Sequence, residues 1–238
     1  MRLDIIAETE DFVAVSKPSG LLTLPDRFDN LQESLRGMLM QTYGEIFTVH
    51  RLDRDTSGLI LFAKHPEAQK HFSAQFEERA VDKYYMGITV GRMTQSEGTF
   101  DQPLTEHPTI KGKMTVARKG KHAITHFQTL ETIGKFTLLA LRIETGRTHQ
   151  IRVHLQNAGH PIACDPIYGS GEPILLSSVK RNFKLSKEEL NERPLLNRLA
   201  LHAWKLGITG LAGEKIELEA PLHKDMEACI RQLRKWGK

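Results

Sequence analysis

Short apolar runs separated by turn residues occupy the beginning of the chain. Residues 12–15 form a strand-like run, Phe-Val-Ala-Val, which ends in a turn cluster at 16–20. Residues 59–63 are continuously apolar, which predicts a fully buried strand. Between these strands a helix is predicted over about 31–42, because apolar residues recur there at helical spacing: Leu31, Leu35, Met38 and Leu39.

The middle of the chain alternates between predicted helix, strand and loop. Pro66 stands where a helix can begin, and residues 84–90 alternate like a strand. Prolines and glycines among several lysines predict a long exposed loop over 101–122. Two further strands, at about 123–131 and 136–144, flank a glycine and are predicted to form a hairpin.

A helix is predicted from Thr148, as its N-cap, to Asn157, with Gly159 as its terminator. The stripe that this helix is expected to bury consists of Ile151, Leu155 and Ala158.

The C-terminal part carries weaker signals before it closes with strands and a helix. Residues 170–197 have little pattern beyond one capping box, Ser186-x-x-Glu189. Strands are predicted over 199–208 and 216–219. The last helix is predicted to bury an apolar stripe made of Met226, Cys229, Ile230, Leu233 and Trp236.

The order of these elements predicts the fold class. Strands cluster as hairpins with few crossover helices, which favours an α+β fold with a mixed, mostly antiparallel sheet. The chain has 238 residues, enough to bury a core without a metal or disulfide staple. With no internal repeat and no linker, a single domain over 1–238 is predicted.

Charge and cysteine usage narrow the class of protein. The 33 basic and 29 acidic residues leave a net charge of +4, which permits a polyanionic partner without requiring one. Cys164 and Cys229 form no Cys-x-x-Cys pair, so neither a zinc site nor a disulfide framework is indicated. The N-terminus lacks the apolar core of a signal peptide, and no apolar run approaches the about 18 residues of a membrane span. A cytoplasmic protein without membrane contact is predicted.

The densest polar cluster is HRLDRDTSG at 50–58, between two apolar strands. One interpretation is a solvated turn. The other is a functional loop, because Leu52 and the strand at 59–63 bring the backbone into the core on both sides of Asp53. A carboxylate held there beside arginines would be charged and positioned, as a nucleophile or general base requires.

Two more clusters carry possible chemistry. GRTHQIRVH at 146–154 places His149 and Arg152 on one helical face, which is also the pattern of a helix with a basic solvent face. Its two histidines are five positions apart, the wrong spacing for a zinc-binding helix, so no metal site is predicted. Tyr84 and Tyr85 are neighbours on a strand and must face opposite sides, so only one of them can enter a site.

The three clusters together resemble the RluA-type family of RNA pseudouridine synthases. The resemblance extends over nearly the whole chain, and HRLDRDTSG followed by GRTHQIRVH is its most specific part. The other segments that carry it are SKPSGL at 16–21, KYYMGITVG at 83–91, GHPIACDPIYG at 159–169 and LHAWKLGI at 201–208.

The resemblance implies a role for individual residues. Asp53 matches the catalytic aspartate, Tyr85 the tyrosine that stacks on the target uracil, and Arg152 the basic partner of the aspartate. Arg51 matches the arginine that fills the space left by the flipped base. Asp165 matches a position of structural support. The remaining candidates, all for substrate binding, are His50, Thr56, Arg147, His149 and Gln150.

The family's fold is a mixed, largely antiparallel sheet split by an active-site cleft, and its reaction uses no cofactor. Asp53 could attack C1′ of the ribose, add to the base or remove a ribose proton, and the sequence leaves these three open. A non-catalytic RNA-binding protein on the same fold is the alternative, disfavoured because binding alone does not need the carboxylate. A glycoside hydrolase would need a second paired carboxylate, for which only Asp55 is near.

Many relatives carry an S4-type RNA-binding domain before the catalytic domain. The segment at 16–21 begins too early to leave room for one, so RNA contact is expected from the catalytic domain itself. The segments at 107–122 and 170–197 are the candidate substrate readers. The predicted partner is RNA, in stem-loops of ribosomal or transfer RNA, and the predicted state is a monomer.

Overall fold

The computed structural model describes residues 3–25, 33–185 and 191–237. Contacts divide the chain into two compact units, each made of two segments. The first unit is Met1–Tyr85 with His202–Pro221, and the second is Met86–Leu201 with Leu222–Lys238. The single domain over 1–238 stays a prediction.

The described residues contain helices, strands and one short 3-10 turn at Leu176–Ser178. The helices are α1 (Leu35–Tyr43), α2 (Pro66–Glu77), α3 (Gln150–Asn157) and α4 (Lys224–Trp236). The strands are β1 (Asp4–Glu8), β2 (Phe12–Lys17), β3 (Phe47–Thr48), β4 (Ser57–Ala63), β5 (Asp82–Val90), β6 (Glu97–Asp101), β7 (Leu104–Glu106), β8 (Met114–Val116), β9 (Ile124–Ile133), β10 (Phe136–Ile143), β11 (Leu201–Thr209) and β12 (Lys215–Glu219).

The first unit is a mixed sheet with a helix on each face. Its strands follow the order β1, β2, β4, β11, with β12 beside β11 and β3 beside β4. Strands β4 and β11 run parallel, whereas β1 with β2, β2 with β4, β3 with β4 and β11 with β12 are antiparallel. Every residue of β4 is buried, which confirms the prediction for 59–63.

Alternate side chains of the central strands enter two separate hydrophobic clusters. One cluster contains Phe12, Ala14, Leu59 and Leu61 together with Phe72 of α2. The other contains Val13, Val15, Ile60 and Phe62 together with Leu39 of α1. Because side chains on a strand point alternately to opposite faces, this division accounts for a continuously apolar β4. Ser34 caps α1 by accepting from the backbone N–H of Gly37, so the helix begins later than predicted, and Leu31 lies outside the described residues.

Gly58 of β4 lies opposite Ala203 of the parallel strand β11. Its φ is +108°, and a Cβ there would overlap the backbone oxygen of Ala203 and lie 2.7 Å from the backbone nitrogen of that residue. Since backbone atoms of a buried parallel pair cannot move aside, only glycine fits.

We expect Gly58→Ala to lower the free energy of unfolding by at least about 3 kcal/mol, from overlap and backbone strain together. Urea unfolding of the purified protein measures this loss. Gly213→Ala is the matched control, because Gly213 has a φ of +86° but no atom within 4 Å of its Cβ position. That control carries strain alone, about 1–2 kcal/mol. Equal losses in both variants would contradict the close approach as the cause.

In the second unit, neighbouring strands follow the order β5, β10, β9, β6. Strands β9 and β10 form the antiparallel hairpin predicted around Gly134, which has a φ of +59°. Strand β6 lies antiparallel to β9 and was missed in the sequence pattern. The predicted loop at 101–122 is wrong in part, because β7 and β8 form a two-stranded antiparallel sheet there. Leu104 anchors this hairpin in a buried cluster with Ala123, Val153 and Tyr168.

The two helices of the second unit depart from their predictions in detail. The N-cap of α3 is His149, in the left-handed region at φ +54°, and not Thr148. Ala158, predicted as buried, is exposed just beyond the last turn of α3. Helix α4 buries its apolar stripe except for Trp236, which is half-buried. The capping box at 186–189 lies outside the described residues.

The observed pairing confirms an α+β fold with a mixed, mostly antiparallel sheet. The active-site cleft that the resemblance implies stays a prediction. In the described part of the chain, no helix has both the length and the apolar character needed to cross a membrane.

Candidate active site

Asp53 lies in the loop that connects β3 to β4. Leu52 is buried, Asp53 is half-buried and Arg51 is exposed, so the loop alternates between the core and solvent. The backbone N–H of Thr56 donates to the carbonyl of Asp53 at 3.2 Å, which closes a tight turn directly after the carboxylate. Thr56 itself is buried. A solvated turn, the first interpretation of this sequence, does not account for two buried positions beside Asp53.

The segment after β2 holds this loop from both sides of Asp53. Thr23 accepts from the backbone N–H of Leu52 at 3.3 Å, and its hydroxyl donates to the Leu52 carbonyl at 3.0 Å. The Ser19 hydroxyl donates to the Asp55 carbonyl at 2.6 Å. The backbone on either side of Asp53 is therefore fixed by side chains that lie more than 25 residues earlier in the chain.

Lys17 completes this support with a buried ammonium group. The residue is 0% exposed, and its Nζ donates to the carbonyls of Pro18 at 3.0 Å, Leu21 at 2.8 Å and Arg54 at 2.8 Å. Backbone carbonyls, which carry partial negative charge, replace water around the cation. The Arg54 carbonyl directly follows Asp53, so Lys17 connects the turn at 18–21 to the candidate catalytic loop.

We expect Lys17→Met to lower the free energy of unfolding by about 2–4 kcal/mol, because it removes the charged donor from the Pro18, Leu21 and Arg54 carbonyls, of which the Arg54 carbonyl keeps the Gly20 N–H. Thermal and urea unfolding measure the loss. Lys70→Met is the control, since Lys70 is an exposed lysine on α2. A Lys17→Met protein as stable as this control would show that the buried ammonium does not support the loop.

Tyr85 lies on β5 and faces the same region of the first unit as Asp53. Its ring is half-buried and packs on the cluster around α1. Burial, and to a lesser extent the nearby charge of Asp53, raises the pKa of Tyr85 above its ordinary value. The phenol therefore stays protonated near neutral pH. Tyr84 lines a groove on the other side, with Trp204 and Leu218, so the two tyrosines face opposite sides as predicted.

His50 is held by contacts inside the first unit. Its Nε2 accepts the backbone N–H of Leu61 at 3.0 Å, and its ring stacks on Phe76 with centroids 4.3 Å apart. Burial, together with the charge of Lys83, lowers the pKa of His50 to about 3. The imidazole is therefore neutral and anchors the start of the loop to β4. Its predicted contact with substrate stays a prediction.

Arg152 lies on α3 in the second unit and forms a buried ion pair. The residue is 1% exposed, and its Nε and Nη2 donate to the two carboxylate oxygens of Asp165 at 2.7 and 2.8 Å. Asp165, 0% exposed, also accepts the backbone N–H groups of Ile167 and Tyr168. A basic solvent face, the simpler interpretation of this helix, is wrong for Arg152.

The pKa of Asp165 is lowered from its ordinary value by this environment. Burial alone would raise it, but the hydrogen bonds and the charge of Arg152 outweigh burial, helped by the backbone donors. A carboxylate that stays charged keeps the guanidinium oriented in a dry region. Asp165 thus supports Arg152. The resemblance implied a position of structural support for Asp165, but it did not imply this partner.

Gln150, at the start of α3, is 3% exposed and uses both ends of its amide inside the protein. Its Oε1 accepts from the Thr145 hydroxyl at 2.7 Å and from the Arg147 backbone N–H at 3.0 Å. Its Nε2 donates to the Ile124 carbonyl at 2.8 Å and the Thr125 hydroxyl at 3.1 Å. These contacts fix the turn before α3. Substrate binding by Gln150 stays a prediction.

The other candidates of the second unit lie in that turn. Arg147 is half-buried, and its Nε donates to the His122 carbonyl at 3.0 Å. His149 is half-buried, with its Nδ1 2.8 Å from the Tyr168 hydroxyl. Their roles toward substrate stay predictions, as does the pairing of Arg152 with Asp53. Within the described residues, no three His, Cys, Asp or Glu side chains group in a way that could hold a metal ion.

Comparisons with known proteins show a consistent similarity. The model of a family described as RNA pseudouridylate synthase matches residues 11–157. Ribosomal large subunit pseudouridine synthase D of Nitrosomonas europaea is 36% identical over 98% of this chain, which spans 65% of that relative's length. An RNA pseudouridine synthase of Bacillus subtilis, described as uncharacterized, is 37% identical over 100% of this chain, which spans 75% of its length.

A solved structure shares the fold over nearly the whole chain. The human protein RNA Pseudouridylate Synthase Domain Containing 1 has a TM-score of 0.73 and 26% identity. The similarity covers 98% of this chain and 95% of that one.

Proposed function

The chain belongs to the RNA pseudouridylate synthase family, and on this premise we propose that it isomerises uridine to pseudouridine in structured RNA. The observation that carries the proposal is the placement of Asp53 in a loop held on both sides, close enough to Tyr85 for its charge to act on the phenol. A binding protein needs no such carboxylate. The relatives are named as synthases, so a non-catalytic role has no support.

The reaction breaks the N1–C1′ glycosidic bond, turns the uracil and joins C5 to C1′. The proton lost from C5 is balanced by one gained at N1, so no atoms and no electrons are exchanged with a second reactant. The reaction thus needs a positioned carboxylate and a pocket for the base. Asp53 supplies the carboxylate, by attack on C1′, by addition to the base or by removal of a ribose proton.

We assign Tyr85 and Arg51 to the flipping of the target base. A base inside a stacked RNA helix must flip out before the carboxylate reaches it, at a cost of a few kcal/mol. The neutral phenol ring of Tyr85 offers an apolar face on which uracil can stack, and stacking offsets part of that cost. Arg51 is exposed and long enough to enter the space that the base leaves. The assignment of Arg152 as the basic partner of Asp53 rests on the resemblance.

The test is direct conversion of uridine in RNA by the purified protein. RNA transcripts containing ribosomal and transfer RNA stem-loops are incubated with the protein, digested to nucleosides and separated by chromatography with mass detection. Pseudouridine appears at the mass of uridine but at a different retention time. Release of free uracil would instead indicate a glycoside hydrolase. RNA binding without either product would contradict the proposal.

The substrate that we propose is a stem-loop of ribosomal RNA, with transfer RNA as the second possibility. Several relatives are named for the large ribosomal subunit. Loop bases are partly unstacked, which lowers the cost of flipping. Mapping of pseudouridines in total RNA from cells with and without the gene identifies the site. A missing modification only within an unbroken duplex would contradict the stem-loop.

We also propose that the enzyme is cytoplasmic and monomeric and makes no contact with a membrane.

The hairpin of β7 and β8 is the segment that we propose to contact RNA phosphates. The basic residues in its turn and directly after β8 are Lys111, Lys113, Arg118, Lys119 and Lys121, and all but Lys113 are exposed. The alternative is that these residues only keep the hairpin soluble.

We expect the triple replacement of Lys111, Arg118 and Lys119 by glutamine to weaken RNA binding and reduce its salt dependence. Each lost phosphate contact lowers the slope of log K against log salt by about 0.7–0.9. Filter binding at several salt concentrations measures the slope. The control replaces three exposed lysines elsewhere: Lys70, Lys215 and Lys224. An unchanged slope in the hairpin variant would favour the solubility role.

A further inference from the structure

Tyr168 supports both members of the buried ion pair in the second unit. Its side chain is largely hidden, at 5% exposed, and its ring centroid lies 5.0 Å from the guanidinium carbon of Arg152. Its backbone N–H donates to Asp165 Oδ1 at 3.0 Å. A guanidinium over an aromatic face is held by the electron density of the ring, in addition to its salt bridge. One residue therefore orients Arg152 through its ring and Asp165 through its backbone.

The hydroxyl of Tyr168 makes contacts that the ring does not. It accepts the backbone N–H of Met114, the first residue of β8, at 2.8 Å. It also lies 2.8 Å from Nδ1 of His149, the N-cap residue of α3, whose ring meets the Tyr168 ring edge-on. The hydroxyl thus joins the basic hairpin to the start of the helix that carries Arg152.

At Met114 the hairpin is held by the Tyr168 hydroxyl, by pairing with Glu106 and by packing against the cluster around Leu104. Strands β7 and β8 have three residues each, and Met114, Thr115 and Val116 are only half-buried. Lys113, next to Met114, places its ammonium 5.5 Å from the Tyr168 ring centroid. The Tyr168 side chain therefore contacts both the hairpin, which is the segment proposed to bind phosphate, and Arg152.

We propose that Tyr168 is a positioning residue that couples the β7–β8 hairpin to Arg152, with separate tasks for its two parts. The hydroxyl fixes the hairpin in the position in which it meets RNA, and the ring fixes the guanidinium of Arg152. This coupling rests on the proposed function. The hydroxyl serves RNA affinity and the ring serves turnover. Loss of the hydroxyl should therefore raise KM, and loss of the ring should lower kcat.

Three variants test this separation. Tyr168→Phe keeps the ring and removes the hydroxyl, Tyr168→Leu removes both, and Tyr43→Phe is the control. The Tyr43 hydroxyl donates to Glu8 at 2.9 Å in the first unit, so the control loses a hydroxyl that bonds elsewhere. Pseudouridine formation on a stem-loop RNA gives KM and kcat for each protein. Hydrogen exchange at the Met114 amide reports on the hairpin without any need for activity.

For Tyr168→Phe we expect KM for RNA to rise about tenfold, the effect of leaving the half-buried Met114 N–H without its acceptor, while kcat stays within about twofold. Exchange at the Met114 amide becomes faster. For Tyr168→Leu we expect kcat to fall at least about tenfold as well, so that phenylalanine rescues kcat but not KM. Tyr43→Phe leaves KM, kcat and Met114 exchange unchanged.

A Tyr168→Phe protein with wild-type KM would overturn the coupling, even if its melting temperature falls, because a purely structural role predicts that result. Equal losses of kcat in the phenylalanine and leucine variants would overturn the division between ring and hydroxyl. If Tyr168→Leu does not fold, the KM and exchange results of Tyr168→Phe still decide. A wild-type protein that binds RNA but forms no pseudouridine would refute the proposed function, and Met114 exchange would separate that outcome from a failure of the coupling.

Discussion

Asp53→Asn abolishes pseudouridine formation, with a loss of at least about a thousandfold in kcat, if this carboxylate performs the chemistry. Asparagine has nearly the same shape, so the loop held by Lys17 and Thr23 keeps its conformation. It carries no charge and cannot attack C1′, add to the base or accept a proton. Single-turnover conversion of a stem-loop RNA measures the loss. RNA affinity and the unfolding midpoint should stay close to those of the wild type.

Asp55→Asn is the matched control for Asp53→Asn. Asp55 lies two positions along the same loop and is also half-buried, and the Ser19 contact is made to its backbone carbonyl, which the substitution leaves in place. We expect Asp55→Asn to keep turnover within about threefold of the wild type, since its carboxylate has no assigned step. An Asp53→Asn protein that retains a tenth of wild-type turnover would contradict the assignment. Equal losses in both variants would point to the charge of the loop and not to one carboxylate.

Local periodicity predicted the parts of the fold in which neighbours in sequence share an environment. Strand β4 and the hairpin of β9 and β10 follow from apolar runs and a glycine turn. The hairpin of β7 and β8 could not be predicted, because three-residue strands are too short for a period. Its single buried anchor, Leu104, is indistinguishable in sequence from a leucine in a loop.

In the candidate site, too, the sequence predicts individual residues but not the distant partners that hold them. Asp53 and Arg152 were found from motif resemblance, but the partners that fix them lie elsewhere in the chain. Lys17 reaches the Arg54 carbonyl across 37 positions, and Arg152 reaches Asp165 across 13. Neither bond follows a helical or strand period. A lysine in a turn and an arginine on a polar-looking helix both suggest solvent, and only the fold shows that both are buried.

Asp165→Ala is expected to destabilise the protein by about 3–5 kcal/mol, because it removes the buried carboxylate that accepts two hydrogen bonds from the guanidinium of Arg152. At this chain length such a loss lowers the melting temperature by about 10 °C or more. Differential scanning calorimetry and urea unfolding at neutral pH measure it. Turnover of the folded fraction should fall as well, since the orientation of Arg152 depends on this carboxylate.

Asp225→Ala provides the comparison that isolates burial. Asp225 makes the same two-bond contact with Arg198, at 2.6 Å for each bond, in the same unit. Its side chain is 46% exposed, compared with 0% for Asp165. Because the Asp225 carboxylate is partly hydrated and Arg198 also donates to the Leu199 carbonyl, we expect a loss of no more than about 1 kcal/mol. Similar losses in the two variants would show that burial does not set the strength of the Arg152 pair.

The pH dependence of the stability lost in Asp165→Ala shows how much of that loss comes from the charge of Asp165. The folded-state pKa of Asp165 is lowered relative to an unfolded value of about 3.9, so its contribution is complete above that value and is lost as pH falls through the folded pKa. The difference in unfolding free energy between wild type and Asp165→Ala should therefore be constant from about pH 5 to 8 and shrink below about pH 4. A difference that persists undiminished to about pH 2 would mean that lost packing, and not the charge on Asp165, supports Arg152.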